Sequence, residues 1–266
     1  MPADTLVQAP PSMAKRFGVS EDSLARRREF LRLGEPQRQL LSDLIPWADQ
    51  AADRIACEFY DWQFGFAPTK AFFSAHAAKS GIKLADLRAA LERAQAKYFR
   101  EIFLGARSNW DLKYFENRLI VGCAHDRIDL PFKWYIGSYS EYETLTRKYL
   151  RESFTDPSYI SDAELAVHQV FNLDMQAIGD SFLLCTLESL GLNIQSIAVS
   201  GAADRAESVP EIKGAIRTIQ EQARALSTLQ LNDASFARQN DVATLLRRRY
   251  AVADEFRRGR DSRAPG

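Results

Sequence analysis

Apolar residues recur along this chain at spacings of three and four, and no useful stretch alternates with a period of two, which predicts an all-α fold. Ser20-Glu21-Asp22 starts a helix predicted to reach Leu33, with Gly34 in the left-handed C-terminal position and Pro36 opening the next helix. From Pro46, residues Ala52, Ile55, Ala56, Phe59, Tyr60 and Gln63 keep helical spacing until Gly65, with Pro68 just beyond. A short aromatic helix around Ala71, Phe72 and Phe73 precedes a long one from about Lys83 to Leu104. One face of that long helix carries Leu84, Leu87, Leu91, Ala94, Tyr98 and Ile102, and Gly105 closes it.

Asp111 to about Arg127 predicts a further helix on which Tyr114, Val121, His125 and Ile128 share a stripe, so His125 faces inward near its C-terminal end. Pro131 opens a helix through Trp134, Tyr135, Tyr139, Tyr142 and Tyr149, stopped by the Asp156-Pro157 turn. Ser161 and Glu164 form a capping-box pattern for the last long helix, expected to run to about Leu190 before Gly191. Its apolar residues, among them Val167, Phe171, Ile178, Phe182 and Leu184, spread around much of the circumference, so more than one face is expected to be buried.

Residues 1–19, with Pro2, Pro10 and Pro11, are expected to form a flexible arm, residues 20–190 a helical domain, and residues 191–266 a polar helical extension interrupted by Gly201, Pro210 and Gly214. The end of the chain from Arg247 carries seven arginines, a composition typical of a solvated tail. Across all 266 residues, 46% are hydrophobic and 26% charged, the range of a globular protein. The 35 basic and 35 acidic residues cancel, so no global field draws the chain to nucleic acid or an anionic membrane. No signal-peptide core and no apolar run of about 18 residues is present, so no membrane span is expected. Cys57, Cys123 and Cys185 are odd in number and far apart, which predicts reduced thiols, no disulfide and a cytoplasmic setting.

Of the three histidines, His76 and His168 sit where surface or packing residues are expected. No second histidine or carboxylate pair surrounds His125 at zinc or di-iron spacing. A single inward histidine in a helical domain suits a metal that brings most of its own ligands, as haem iron does.

The run Arg118-Leu-Ile-Val-Gly-Cys-Ala-His125-Asp-Arg127-Ile128-Asp-Leu130-Pro131-Phe-Lys-Trp134-Tyr135-Ile-Gly137 resembles the proximal-histidine signature of the globin-coupled sensors. Phe59-Tyr60-Asp61 resembles the family's distal-tyrosine motif, and Gln95-x-x-Tyr98 with Phe103-x-Gly105 its long distal helix. Arg28 with Phe30-Leu31, and Leu44-x-Pro46, resemble its extra N-terminal helices. The resemblance covers about residues 20–190. It implies a globin fold with extra N-terminal helices and non-covalent haem b, with His125 as proximal iron ligand and Tyr60 as a donor to bound dioxygen; carbon monoxide and nitric oxide are the other gases it implies as ligands. Phe59, Phe73, Leu87, Leu91, Ala94, Gln95, Tyr98, Val121, Ile128, Trp134 and Tyr135 are the expected pocket residues. Asp129 stands where the family carries glycine, and its polar distal-helix position falls on Ala94 or Gln95.

The resemblance further implies a gas sensor acting as a homodimer on an output segment or a downstream signalling protein. No catalytic output motif is visible in residues 191–266. Two other readings stay open at this point: a haem enzyme that removes nitric oxide or peroxide with an external reductase, and a haem-free signalling scaffold.

Overall fold

The computed structural model describes residues 11–189 and 191, residues 204–207, and residues 214, 217, 218, 220–222 and 224. It divides into two units, Met1–Ser208 and Val209–Gly266. In the second, the described residues are helical. In the first, no described residue is in a β-strand, and the helices are α1 (Met13–Phe17), α2 (Glu21–Phe30), α3 (Glu35–Asp43), α4 (Ile45–Gly65), α5 (Ala67–Lys79), α6 (Leu84–Leu104), α7 (Leu112–Arg127), α8 (Phe132–Ser153) and α9 (Pro157–Ser189).

The helix ends follow from local chemistry. Ser20 accepts from the backbone N–H of Ser23, whose hydroxyl accepts from Ser20 in return. Asp111 caps α7 through Tyr114 N–H at 2.9 Å. Gly34 does not take the left-handed position expected of it. Arg32 does, with φ of 56°, because α2 ends three residues early and Gly34 becomes the extended residue before α3. The last helix also starts earlier than expected. Pro157 occupies its first position and Asp156 accepts from Ser158 N–H at 2.9 Å, so the turn that follows the end of α8 at Ser153 also starts α9.

Residues 12–19 are not part of the expected flexible arm, and residues 1–10 lie outside the described residues. Phe17 is fully buried, and the first N–H groups of α1, on Met13 and Ala14, donate to the two carboxylate oxygens of Glu116 on α7 at 2.7 and 2.6 Å. Residues 204–207 also belong to the first unit, where buried Asp204 pairs with Arg27 and Arg205 N–H donates to Phe17 O at 2.9 Å.

Helices α4 and α6 pack as one pair and α7 and α9 as another, with α8 lying against both α4 and α9. Trp47, Phe99 and Phe103 interlock edge to face between α4 and α6. Gly122 brings α7 onto α9: a Cβ there would lie 2.5 Å from the Ser181 Cβ. The Ser181 hydroxyl donates to Leu119 O at 2.9 Å across the same contact. This close approach sets Cys123 and Cys185 at a Cα separation of 6.2 Å, joined as a disulfide. The expectation of three free thiols is therefore corrected. The two residues are 62 positions apart in sequence, and only the packing of α7 on α9 brings them together. Cys57 alone is free, and it is exposed.

Candidate functional site

A cavity, open at its mouth, lies between α4, α5, α6, α7 and α8. Of the expected pocket residues, Phe59, Tyr60, Phe73, Leu91, Gln95, Tyr98, Val121, His125, Ile128, Trp134 and Tyr135 line it. Two expectations fail. Ala94 is exposed, because one residue of helix turns the side chain by about 100°, and its neighbour Gln95 lines the cavity. Leu87 is buried outside the cavity wall. Gln63, Thr69, Leu130, Ser138, Tyr139 and Tyr142 complete the lining and were not foreseen as a site. Helical spacing held the signal for three of them: Gln63 is one turn after Tyr60, and Tyr139 and Tyr142 are one and two turns after Tyr135.

His125 sits in the last turn of α7. Its Nδ1 is 2.8 Å from Val121 O. A carbonyl only accepts, so Nδ1 carries the proton and Nε2 is left as an acceptor on a ring that lines the cavity. Burial lowers the imidazole pKa and the bond to Val121 opposes this in part, so the ring is held neutral. Tyr135 packs against it edge to face, with ring centroids 4.8 Å apart. After His125 the helix ends in a Schellman turn: Leu130 N–H donates to His125 O at 3.1 Å and Asp129 N–H to Asp126 O at 2.9 Å. Asp129 holds the left-handed position with φ of 58°. The aspartate thus holds a backbone conformation that favours glycine.

Across the cavity, Tyr60 is buried between Phe59 and Phe73, with ring centroids 5.3 and 6.2 Å away. Its hydroxyl makes no hydrogen bond among the described residues, so it is not a core tyrosine tied to a backbone carbonyl. Burial pushes its pKa well up, which keeps the phenol protonated and a donor. The buried Tyr142 hydroxyl also lacks a partner in hydrogen-bond geometry, although Gln95 lies close to it. The donor set, one neutral imidazole and two unpartnered hydroxyls in an aromatic lining, fits an apolar group that supplies its own metal. Among the described residues no group of three or more histidines, cysteines or carboxylates is placed to hold a metal ion by itself.

The remaining cavity tyrosines are committed elsewhere. Tyr98 donates to Asp174 Oδ2 at 2.8 Å and Tyr114 to Asp174 Oδ1 at 2.6 Å, while Arg118 Nε lies 3.2 Å from the same carboxylate. Tyr139 meets the Tyr98 hydroxyl at 3.3 Å. Burial raises the Asp174 pKa, and Arg118 with the two tyrosines opposes that rise. This cluster, with Arg118 and Asp174 at its buried centre, joins α6, α7 and α9 and reaches the cavity through Tyr98. His168 instead pairs with Glu143 at 2.8 Å in an exposed setting, and His76 stacks on Phe72 outside the cavity.

The family model described as Protoglobin matches residues 20–182, more than half of the chain. The chain belongs to the Protoglobin family. This agrees with the resemblance to globin-coupled sensors read from the motifs around Tyr60 and His125. A curated relative, the heme-based aerotactic transducer HemAT of Halobacterium salinarum, is 28% identical over 133 residues, half of this chain and a quarter of that protein. The chain thus spans about a quarter of the length of that relative. Among solved structures, the globin domain of a Geobacter sulfurreducens globin-coupled sensor matches 60% of this chain and 97% of its own, with 22% identity and a TM-score of 0.51. That likeness establishes the all-α globin fold of the Protoglobin domain. Among the described residues no helix is long and apolar enough to cross a membrane.

Proposed function

We propose that this chain is a haem-based gas sensor in which His125 ligates the iron and Tyr60 donates a hydrogen bond to bound dioxygen. The reading rests on one arrangement: His125 keeps Nε2 available in a cavity whose opposite wall carries the unpartnered Tyr60 hydroxyl. Haem b, held non-covalently since no Cys-x-x-Cys-His is present, would supply the redox-active iron that binds a diatomic gas. The chain's own groups do the rest. Val121 O fixes the imidazole tautomer and orientation, and Phe59, Phe73, Leu91 and Trp134 keep water from the site. Tyr60 and Gln95 are the donors available to a bound ligand. A polar bound dioxygen gains more from such donors than carbon monoxide does.

In this reading residues 20–190 form the sensor domain and residues 191–266 lead to an output segment or a downstream signalling partner in the cytoplasm. A homodimer through α8 and α9 is supported by exposed Leu165 on α9 and by exposed Phe132 on α8, which packs on the half-exposed Phe182. Absorption spectra of the purified chain, oxidised, reduced and exposed to dioxygen and carbon monoxide, test the haem assignment. A five- or six-coordinate haem spectrum that shifts with each gas is expected, and failure to take up stoichiometric haem overturns it. Sedimentation of the haem-loaded chain tests the dimer.

A further inference from the structure

Helix α7 has two working faces. Val121, His125 and Ile128 face the cavity, while Leu119, Gly122, Cys123 and Asp126 meet α9. At about 100° per residue, Cys123 and His125 lie about 200° apart, on opposite sides of the helix. Beside Cys123 the two helices meet through backbone and short side chains: Gly122 lets them touch, Ser181 donates to Leu119 O at 2.9 Å, and Thr186 donates to Asp126 at 3.3 Å across an exposed edge. The bond between Cys123 and Cys185 is the covalent tie at this level, within two residues of His125. Its Cα separation of 6.2 Å falls in the usual disulfide range of roughly 4.4–6.8 Å.

We propose that Cys123 and Cys185 form a reversible thiol–disulfide clamp that holds the His125 helix against α9, so that the redox state of the pair sets how firmly that histidine is held. An exposed free thiol at Cys57 in the same chain fits a compartment where thiols are kept reduced, and there a disulfide is operated rather than permanent. Half-exposed Cys185 is the point of entry, and buried Cys123 is the resolving residue. With a low-molecular-weight disulfide as oxidant, Cys185 sulfur attacks it, one small thiol leaves, and a mixed disulfide forms. Cys123 sulfur then attacks Cys185 sulfur and releases the second small thiol. Two protein thiols are oxidised and one small disulfide is reduced to two thiols. An excess of small thiol runs both steps backwards. With the bond closed, α7 is tied to α9 and His125 lines the cavity from a fixed backbone. With it open, His125 follows the cavity more freely. The consequence for gas binding rests on His125 being the iron ligand; the clamp itself does not.

The test uses the full chain, equilibrated in graded ratios of reduced to oxidised glutathione, alkylated and mapped by mass spectrometry. Cys123 and Cys185 are expected to be protected together and reversibly, while Cys57 labels independently. Persistent labelling of Cys123 and Cys185 at every ratio overturns the proposal, and so does a bond that no excess of reduced glutathione opens. Amide hydrogen exchange on the same samples is expected to be faster over residues 119–127 in the dithiol form, with or without haem. Equal exchange overturns the clamp. In haem-loaded samples reduced photochemically and checked for thiol state, dioxygen dissociation is expected to be about fivefold faster with the bond closed, the lower end of usual coupling between sites. Cys185→Ser and Cys123→Ala should each abolish the difference, and Cys57→Ser should leave it intact. If haem does not bind at all, the sensor reading fails, while the exchange result still decides the clamp.

Discussion

The Nδ1 of His125 lies 2.8 Å from the carbonyl oxygen of Val121, one helical turn earlier on the same face of α7. Backbone geometry alone therefore decides which ring nitrogen can donate an electron pair into the cavity. His125→Ala is expected to abolish stable haem uptake, whereas His76→Ala and His168→Ala retain it, since neither of those rings reaches the cavity. Haem content per chain, measured side by side for the three variants, checks this; normal uptake by His125→Ala removes the assignment.

The same imidazole gives the haem-free chain an acid dependence. Burial lowers its folded-state pKa below the ordinary 6.5. Above 6.5 both folded and unfolded rings are neutral, and the group has no effect on stability. Between 6.5 and the lower folded value the unfolded chain binds the proton and the folded chain does not, so stability falls as pH falls through that window. Urea midpoints are expected to drop between about pH 7.5 and about pH 5.5, and to drop less in His125→Phe, which cannot take up that proton. An equal drop in both proteins would place the dependence elsewhere.

Tyr60→Phe removes one hydroxyl and keeps the ring between Phe59 and Phe73, so haem content should hold. Dioxygen release is expected to be about two- to tenfold faster, the worth of one hydrogen bond of roughly 0.5–1.5 kcal/mol. Carbon monoxide release should change much less. Stopped-flow rates for both gases decide, and unchanged dioxygen release would leave Gln95 as the donor.

The Arg118–Asp174 pair sits 1% and 0% exposed, so removing Asp174 leaves the buried Arg118 charge with Glu101, at 3.0 Å, as its remaining carboxylate. Asp174→Asn is expected to cost about 3–5 kcal/mol of stability. Tyr114→Phe should cost roughly 1.5–3 kcal/mol through the lost bond to the carboxylate. Replacing both charges with apolar residues of similar volume should recover much of the loss. Urea denaturation of the haem-free variants measures all three.

Asp129 occupies left-handed backbone at an exposed position. Asp129→Gly relieves the steric cost of a Cβ there but gives the unfolded chain more freedom. A net gain of roughly 0.5–1 kcal/mol is expected, read as a higher melting temperature with the haem spectrum unchanged.

Much of the architecture was legible because the chain marks its own boundaries. Pro36, Pro46, Pro131, Asp111 and Gly105 each stand at or beside a helix end, and His125 and Tyr60 lie on stripes that face inward. What escaped reading depends on distance rather than pattern. Arg118 and Asp174 are charged residues that sequence alone places in solvent, and they are buried only because they meet across two helices. Cys123 and Cys185 carry no local signal of their pairing. Ala94 and Gln95 are adjacent, and choosing between them takes an angular precision that apolar spacing does not provide. Thr69 and Ser138 line the cavity with their hydroxyls turned to backbone carbonyls, so nothing in their chemistry announced them.

The bare backbone at Gly122 has a mechanical consequence. With only glycine between them, α7 rests on α9 near Ser181 and Ile178 as a rod rests on a fulcrum: it can tilt there, but it cannot slide closer. At 1.5 Å per residue, His125 lies about 4.5 Å from that point and Leu112, at the other end of the helix, about 15 Å. A tilt that shifts the histidine by a fraction of an ångström therefore moves the far end about three times as much. Between them, on the long arm, lies Glu116, whose carboxylate holds the first two amides of α1. A displacement too small to see at the ring is thus multiplied into a movement of the N-terminal helix.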